Sequence, residues 1–187
     1  IFATFYIFKN SFSEKEFLRK ILRTNCVVID IGSNLGNFIK TLIKLDKSLK
    51  IHSIEPSNYA LDYQKKKLKK FKNIRFHNLA ISNKVGKSKL YVRNPVSHSS
   101  LNEDHLDSEI NEITSIEEIE TVTLEHFLLN ENLQLITLLK IDTEGRDFEI
   151  LASSEKLILE GKIQYIKIEA TPESLIPILK FAEKNNL

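Results

Sequence analysis

The chain has 187 residues, 42% of them hydrophobic and 28% charged, which is enough apolar material for one domain with a substantial core. A net charge of +2 with a pI near 8.5 is too mild to argue for a nucleic-acid or membrane partner. The single cysteine, Cys26, excludes a disulfide framework and suits a reducing compartment, so a cytoplasmic location is expected.

Ile1 to Phe8 is apolar, is closed by Lys9 and is far too short to span a membrane, so it is expected to be an N-terminal strand. No signal peptide is recognisable, and with no Met anywhere residue 1 is expected not to be a native start. Ser13-Glu-Lys-Glu16 reads as a capping box for a helix whose stripe is Phe17, Leu18, Ile21 and Leu22. This helix is expected to pack at the sheet edge or over a cofactor site.

Cys26-Val-Val-Ile-Asp-Ile-Gly-Ser-Asn-Leu-Gly36 joins an uninterrupted β-branched run to a glycine turn. Such a run is expected of a strand buried on both faces of a parallel sheet. Phe38, Ile39, Leu42, Ile43 and Leu45 follow at helical spacing, so the turn aims a helix N-terminus at whatever sits in it. The pattern is Asp30-x-Gly32-x-x-x-Gly36, with Asn34 where a dinucleotide fingerprint would have its middle glycine, and no Lys-Ser/Thr follows to make a P-loop. An acidic residue at the strand tip would repel a pyrophosphate. It suits a cofactor carrying an ammonium and a sulfonium, which points to S-adenosyl-L-methionine (SAM).

Ile51-His-Ser-Ile-Glu55-Pro56 is a second strand ending in an acidic residue, placed to accept hydrogen bonds from both ribose hydroxyls. Residues 58–71 read as a helix, and the lysines from Lys65 to Lys72 complement its dipole as a solvated face. Asn73 to Ser82 is expected to be a third strand, with Asn78 at its tip facing the adenine edge and Leu79 and Ala80 beside it. A further strand covers Ser88 to Arg93. Residues 94–118, which include His98, are polar and read as a mobile loop or lid.

Thr121 to Leu129 returns to order as a short strand and a helix. Leu135 to Gly145 is a buried-type strand ending in Lys140, Asp142 and Glu144, which share one side if the chain stays extended. Ionisable groups at the carboxyl end of a parallel strand are costly unless paired or used, and ligands bind there in open α/β sheets. A Lys140–carboxylate ion pair alone is the structural alternative. Gly161 to Pro172 repeats the design with Glu169 at its tip, and Glu173 to Lys184 is a last helix.

Asp-Ile-Gly-Ser-Asn-Leu-Gly (30–36), Ile-Glu-Pro (54–56), Asn-Leu-Ala-Ile-Ser (78–82), Thr-Leu-Glu (123–125) and Leu-Lys-Ile-Asp-Thr-Glu-Gly (139–145) occur in the order seen in FkbM-type SAM-dependent methyltransferases. The resemblance runs from about residue 25 to 170, with Lys-Ile-Asp-x-Glu-Gly its most distinctive element. It implies an α/β, class I methyltransferase, Rossmann-like fold, and O-methylation of a hydroxyl on a sugar or natural product. It departs at Glu125, where members commonly carry Asp; the closing antiparallel strand pair of the class I fold would follow the helix that ends near Lys184 and is expected to be missing here.

By that resemblance Asp30, Gly32, Asn34, Gly36, Glu55 and Asn78 hold SAM, with Ser33, Asn37 and Ala80 completing the expected cofactor contacts. Lys140, Asp142 and Glu144 line the reaction centre, with Asp142 or Glu144 as base and Lys140 holding a carboxylate. No metal ligand is assigned; the alternative is Mg²⁺ on the same carboxylates with Glu169. Another alternative is a SAM-binding module without catalysis. The expected partner is a small-molecule or glycan acceptor. Nucleic acid is not expected, because the fourth-strand tip lacks Asn/Asp-Pro-Pro-aromatic and the lysine run has no interleaved aromatics. The whole chain, 1–187, reads as one domain: strand and helix (1–24), SAM-binding half (25–93), lid or substrate loop (94–118) and catalytic half (119–187).

Overall fold

The computed structural model describes residues 4–5, 11–93 and 113–187. The chain runs β1 (Thr4–Phe5), α1 (Ser11–Ile21), β2 (Val27–Ile31), α2 (Asn37–Leu45), β3 (Lys50–Ile54), α3 (Asn58–Leu68) and β4 (Ile74–His77). It continues through β5 (Ala80–Ile81), β6 (Gly86–Arg93), β7 (Ile113–Val122), α4 (Leu124–Asn130), β8 (Ile136–Ile141), α5 (Asp147–Ser153), α6 (Glu155–Leu159), β9 (Ile163–Ile168) and α7 (Pro172–Lys184).

The main sheet has the order β1-β9-β8-β2-β3-β4, and every pairing in it is parallel. Its centre is β8 beside β2; every residue of β8 is buried, as the unbroken apolar runs require of strands covered on both faces. Alternation along the strands then feeds two cores. Val28, Ile51 and Leu138 meet Phe17 and Leu18 of α1 and Ile39 and Leu42 of α2 on one face. Ile29, Ile31, Ile54, Leu139 and Ile141 meet Phe127, Ile150, Leu157 and Phe181 from α4 to α7 on the other. The architecture is the class I methyltransferase arrangement of a parallel sheet between helical layers. The expected N-terminal strand is present at Thr4–Phe5, pairing in parallel with β9.

Three expectations change. The strand expected over 73–82 breaks at Asn78, whose amide donates to the carbonyls of Glu55 (3.3 Å) and Pro56 (2.9 Å). The chain then leaves as β5 for a second sheet, ordered β5-β7-β6. Residues 113–118, expected in a loop, belong to β7, which pairs antiparallel with β6 from Gly86↔Thr121 to Arg93↔Ile113. A two-stranded ribbon solvated on one face carries enough polar residues to read as a loop. The rest of that expected loop, 94–112 with His98, lies outside the described residues. Finally, α1 begins at Ser11, which puts Ser13 inside the helix, and α3 ends at Leu68 rather than at residue 71. No helix among the described residues is long and apolar enough to cross a membrane.

Candidate active site

The carboxyl ends of β2, β3, β8 and β9 lie side by side at one edge of the parallel sheet, where ligands bind in open α/β folds. At the end of β2, Gly32 and Gly36 both take φ of +72°, a left-handed conformation that glycine adopts without strain. A Cβ on Gly32 would collide with the carbonyl oxygen of Asp142, so the β2 turn and the end of β8 can close on each other only through a glycine. Gly36 caps α2 with no side-chain hydrogen bond, which leaves the first amides of that helix for a ligand.

A buried network fixes the turn. Ser53 Oγ donates to Gln64 Oε1 (2.7 Å), and Gln64 Nε2 donates to Ser33 Oγ (2.9 Å) and to the Asn34 carbonyl (2.5 Å). The Ser53 proton is thereby used, so Ser33 must be the donor in its 2.7 Å contact with Ser53 Oγ, and the ring closes. Gln64 and Ser53 are fully buried. Glu55, also buried, accepts from the Asn34 amide (2.7 Å) and the Ser57 amide (2.9 Å). Burial pushes its carboxyl up to about 7 against the pull of those two donors.

Lys140 sits opposite Asp30 across the β2–β8 pairing. Its Nζ lies 3.1 Å from Asp30 Oδ1 and 2.9 Å from Asp142 Oδ2, so it bridges two carboxylates where the sequence reading assigned it one. Burial alone would lower the Lys140 pKa, but Asp30 and Asp142 outweigh it and raise it. For Asp30, which has no solvent exposure, burial wins and raises the carboxyl despite Lys140. For Asp142, burial is outweighed by Lys140 and the carboxyl is lowered. Both Asp30 oxygens and the Asn34 side-chain oxygen are buried without a well-angled hydrogen-bond donor, so this corner retains unused acceptor capacity.

Past Asp142 the chain does not stay extended. Glu144 takes φ of +50°, so the period-two argument that put it beside Lys140 and Asp142 fails. Asp147 gathers the turn instead, accepting from the Thr143 amide at 2.8 Å and the Gly145 amide at 3.4 Å. From β9, the Glu169 amide donates to the Ile141 carbonyl at 3.0 Å, which carries the Glu169 side chain to Asp142. Partial burial, and then the Asp142 charge and hydrogen bond, push Glu169 up to about 7.

Asp30, Gly32, Ser33, Asn34, Gly36, Glu55, Lys140 and Asp142 therefore come together. Asn78 borders them through the Glu55 and Pro56 carbonyls. Asn37 is exposed, and its oxygen accepts from Lys40 at 3.1 Å. Ala80 does not join the site: it is packed with Leu90, Val92 and Ile119 in the second sheet. Asp142, Glu144 and Glu169 do not form a convergent three-ligand set among the described residues.

The family described as Methyltransferase FkbM domain matches residues 30–185. The chain belongs to the FkbM methyltransferase family. It is a SAM-dependent methyltransferase, and the open acceptors Asp30 Oδ2 and Asn34 Oδ1 beside the glycine turn fit a cationic cofactor. No curated protein matches the chain.

Solved structures support the fold. The Streptococcus mutans protein SMU.1697c, in complex with SAH, has a TM-score of 0.55 at 14% identity, covering 96% of this chain and 84% of that one. Precorrin-6y C5,15-methyltransferase from Geobacter metallireducens GS-15 has 0.52 at 14% identity, covering 93% and 71%. An rRNA methylase from Streptococcus thermophilus has 0.52 at 15% identity, covering 95% and 81%.

Two features of this FkbM site escaped the sequence reading. Gln64 looks like one more polar residue of α3, and only its spacing from the apolar contacts Ala60, Leu61 and Leu68 marks the buried face. Glu169 was visible as an acidic strand end and as a member of the Mg²⁺ alternative, but its direct hydrogen bond with Asp142 needs the β8–β9 register.

Proposed function

We propose that this methyltransferase transfers a methyl group to a hydroxyl, on a sugar or natural product, in a reducing compartment such as the cytoplasm. The observation that carries this reading is the carboxylate pair Asp142–Glu169 at the rim of the cofactor crevice, with Asp142 kept ionised by Lys140. A hydroxyl must lose its proton as its oxygen is methylated, and a carboxyl pair with one member near 7 is matched to accept it at neutral pH.

SAM, when bound, supplies a methyl group on a sulfonium that is already a good leaving group. The protein's share is alignment and proton acceptance. Asp30 and Asn34 supply acceptors for the cofactor's donors, and Gly32, Ser33, Gly36 and Asn37 shape the turn and the helix start. Glu55 accepts from the ribose hydroxyls, with Asn78 as its wall. Lys140 fixes Asp142 against Glu169, and the proton of the acceptor hydroxyl passes to that pair. Glu144 adds negative charge beside Glu169. The Mg²⁺ alternative is weaker because Lys140 already neutralises Asp142.

Calorimetric titration with SAM tests the cofactor half of this reading. Wild type binds, and Glu55→Ala binds about ten- to a hundredfold more weakly, the scale of losing hydrogen bonds to a charged group. Release of S-adenosylhomocysteine with glycan and natural-product hydroxyl acceptors tests the other half. Asp142→Asn should abolish turnover while sparing SAM binding; full activity in that variant overturns the proton-acceptor assignment.

A further inference from the structure

On the face of the sheet opposite Asp30 and Lys140, three side chains converge that methyl transfer does not use. His52 comes from the middle of β3, His77 from the end of β4, and Glu131 from the C-terminal cap of α4. One ligand atom from each lies within 4.8 Å of the others, the one such set of three among the described residues. His52 Nδ1 is 3.1 Å from His77 Nε2, Glu131 Oε2 lies 3.8 Å from His52 Nδ1, and Glu131 Oε1 lies 3.9 Å from Nδ1, the other ring nitrogen of His77.

We propose that His52, His77 and Glu131 form a zinc(II) site with three protein ligands and water in the fourth position, which clips β3, β4 and α4 together behind Glu55. Two imidazole nitrogens and a carboxylate are a borderline donor set of the kind zinc takes. Tetrahedral zinc with bonds of about 2.0–2.1 Å holds two ligand nitrogens about 3.3 Å apart, within a few tenths of an ångström of the spacing here. The imidazoles are nearly parallel, 7° apart, and both stand edge-to-face against Phe127, which fixes their planes while leaving each ring to turn within its plane.

The protonation states suit ligation. Burial brings His52 down to about 4, and it also lowers His77, so both rings are neutral at pH 7 and keep a lone pair. Without the ion, the two facing nitrogens share one N–H···N hydrogen bond. Zinc takes the place of that proton, which moves to the other nitrogen of the same ring. Each ring turns slightly to aim its lone pair at the metal, and Glu131 closes the third side.

Arg75 opposes the ion. Its guanidinium lies 2.7 Å from Glu131 Oε2, competing for the carboxylate and placing a positive charge beside the site. This gives the site a distinctive signature, because removing Arg75 should tighten binding, whereas removing a ligand should weaken it. The location also gives the site a consequence. The Glu55 amide donates to the His77 carbonyl at 3.0 Å, and Asn78 holds the Glu55 carbonyl, so the clip stiffens the strand ends that carry Glu55.

The test is calorimetric titration of the full chain with ZnCl₂ in excess Mg²⁺, for wild type, His77→Ala, Glu131→Gln, Arg75→Gln and His126→Ala. His126 is an exposed histidine on α4 outside the cluster and serves as the control. One equivalent should bind wild type and the control alike. His77→Ala and Glu131→Gln should weaken binding by at least about tenfold, since even outer-shell changes at metal sites cost that much. Arg75→Gln should bind more tightly than wild type. Imidazole ¹⁵N shifts of His52 and His77 on zinc addition to wild type give a readout that needs no variant. Absence of stoichiometric binding, binding unaffected in His77→Ala and Glu131→Gln, or unmoved imidazole signals would each overturn the site and leave a hydrogen-bonded histidine pair.

Discussion

Lys140 holds two carboxylates, and the consequences of removing it are large. Lys140→Met leaves Asp30 without its cation in a position with no solvent exposure, at a cost of about 3–5 kcal/mol. Adding Asp30→Asn should recover part of that loss; urea denaturation of the two variants measures it. Glu55 sets a pH dependence. Its folded pKa of about 7 stands above its ordinary 4.5, so between those values the folded state keeps a proton that the unfolded state has lost. This group's contribution to stability therefore falls as pH rises through that window. The proposed ribose contact needs the carboxylate, so SAM affinity should rise from pH 5.5 to 8, and Glu55→Gln should flatten the change. Calorimetry at the two pH values decides it.

At the level of elements, the β2 turn is held by α3 through Gln64. Gln64→Leu removes the side-chain donor from the Asn34 carbonyl and one partner each from the Ser33 and Ser53 hydroxyls, which keep their bond to each other, costing about 1–3 kcal/mol for a group left unpaired. Gly32→Ala combines a left-handed φ with a collision against the Asp142 carbonyl, and it should destabilise more than Gly36→Ala, whose Cβ would meet the bendable Gln64 and Leu68 side chains. Denaturation midpoints of the pair test that order. These features also mark how far the sequence could be read. Strand β2, its turn and the acidic tips were legible because β-branched runs and glycine spacing are local signals. The break at Asn78 was not, because it depends on carbonyls presented by a neighbouring strand end. The shared side expected of Glu144 held only for an extended chain, and the chain turns past the end of β8.

Across the whole molecule, the two sheets rest on unequal cores. The parallel sheet is packed on both faces, whereas the β6–β7 ribbon is backed by a cluster of Ala80, Leu90, Val92 and Ile119. Amide hydrogen exchange should therefore be slowest in β2 and β8 and measurably faster through β6 and β7, with the ribbon opening without global unfolding. Equal protection in both sheets would show a single cooperative unit instead. Composition pointed to a large core, but it could not show the division of strands between two sheets, since β4 and β5 are nearly continuous in sequence.

Among the described residues, β6 and β7 hydrogen-bond within the second sheet, whereas the strands that lead to Asp30, Glu55 and Asp142 pair only within the parallel sheet. A fault in one sheet therefore has no backbone ladder by which to spread to the other. A slip of register between β6 and β7 would turn their side chains to the wrong face, yet it is expected to leave the pairings behind the glycine turn as they are.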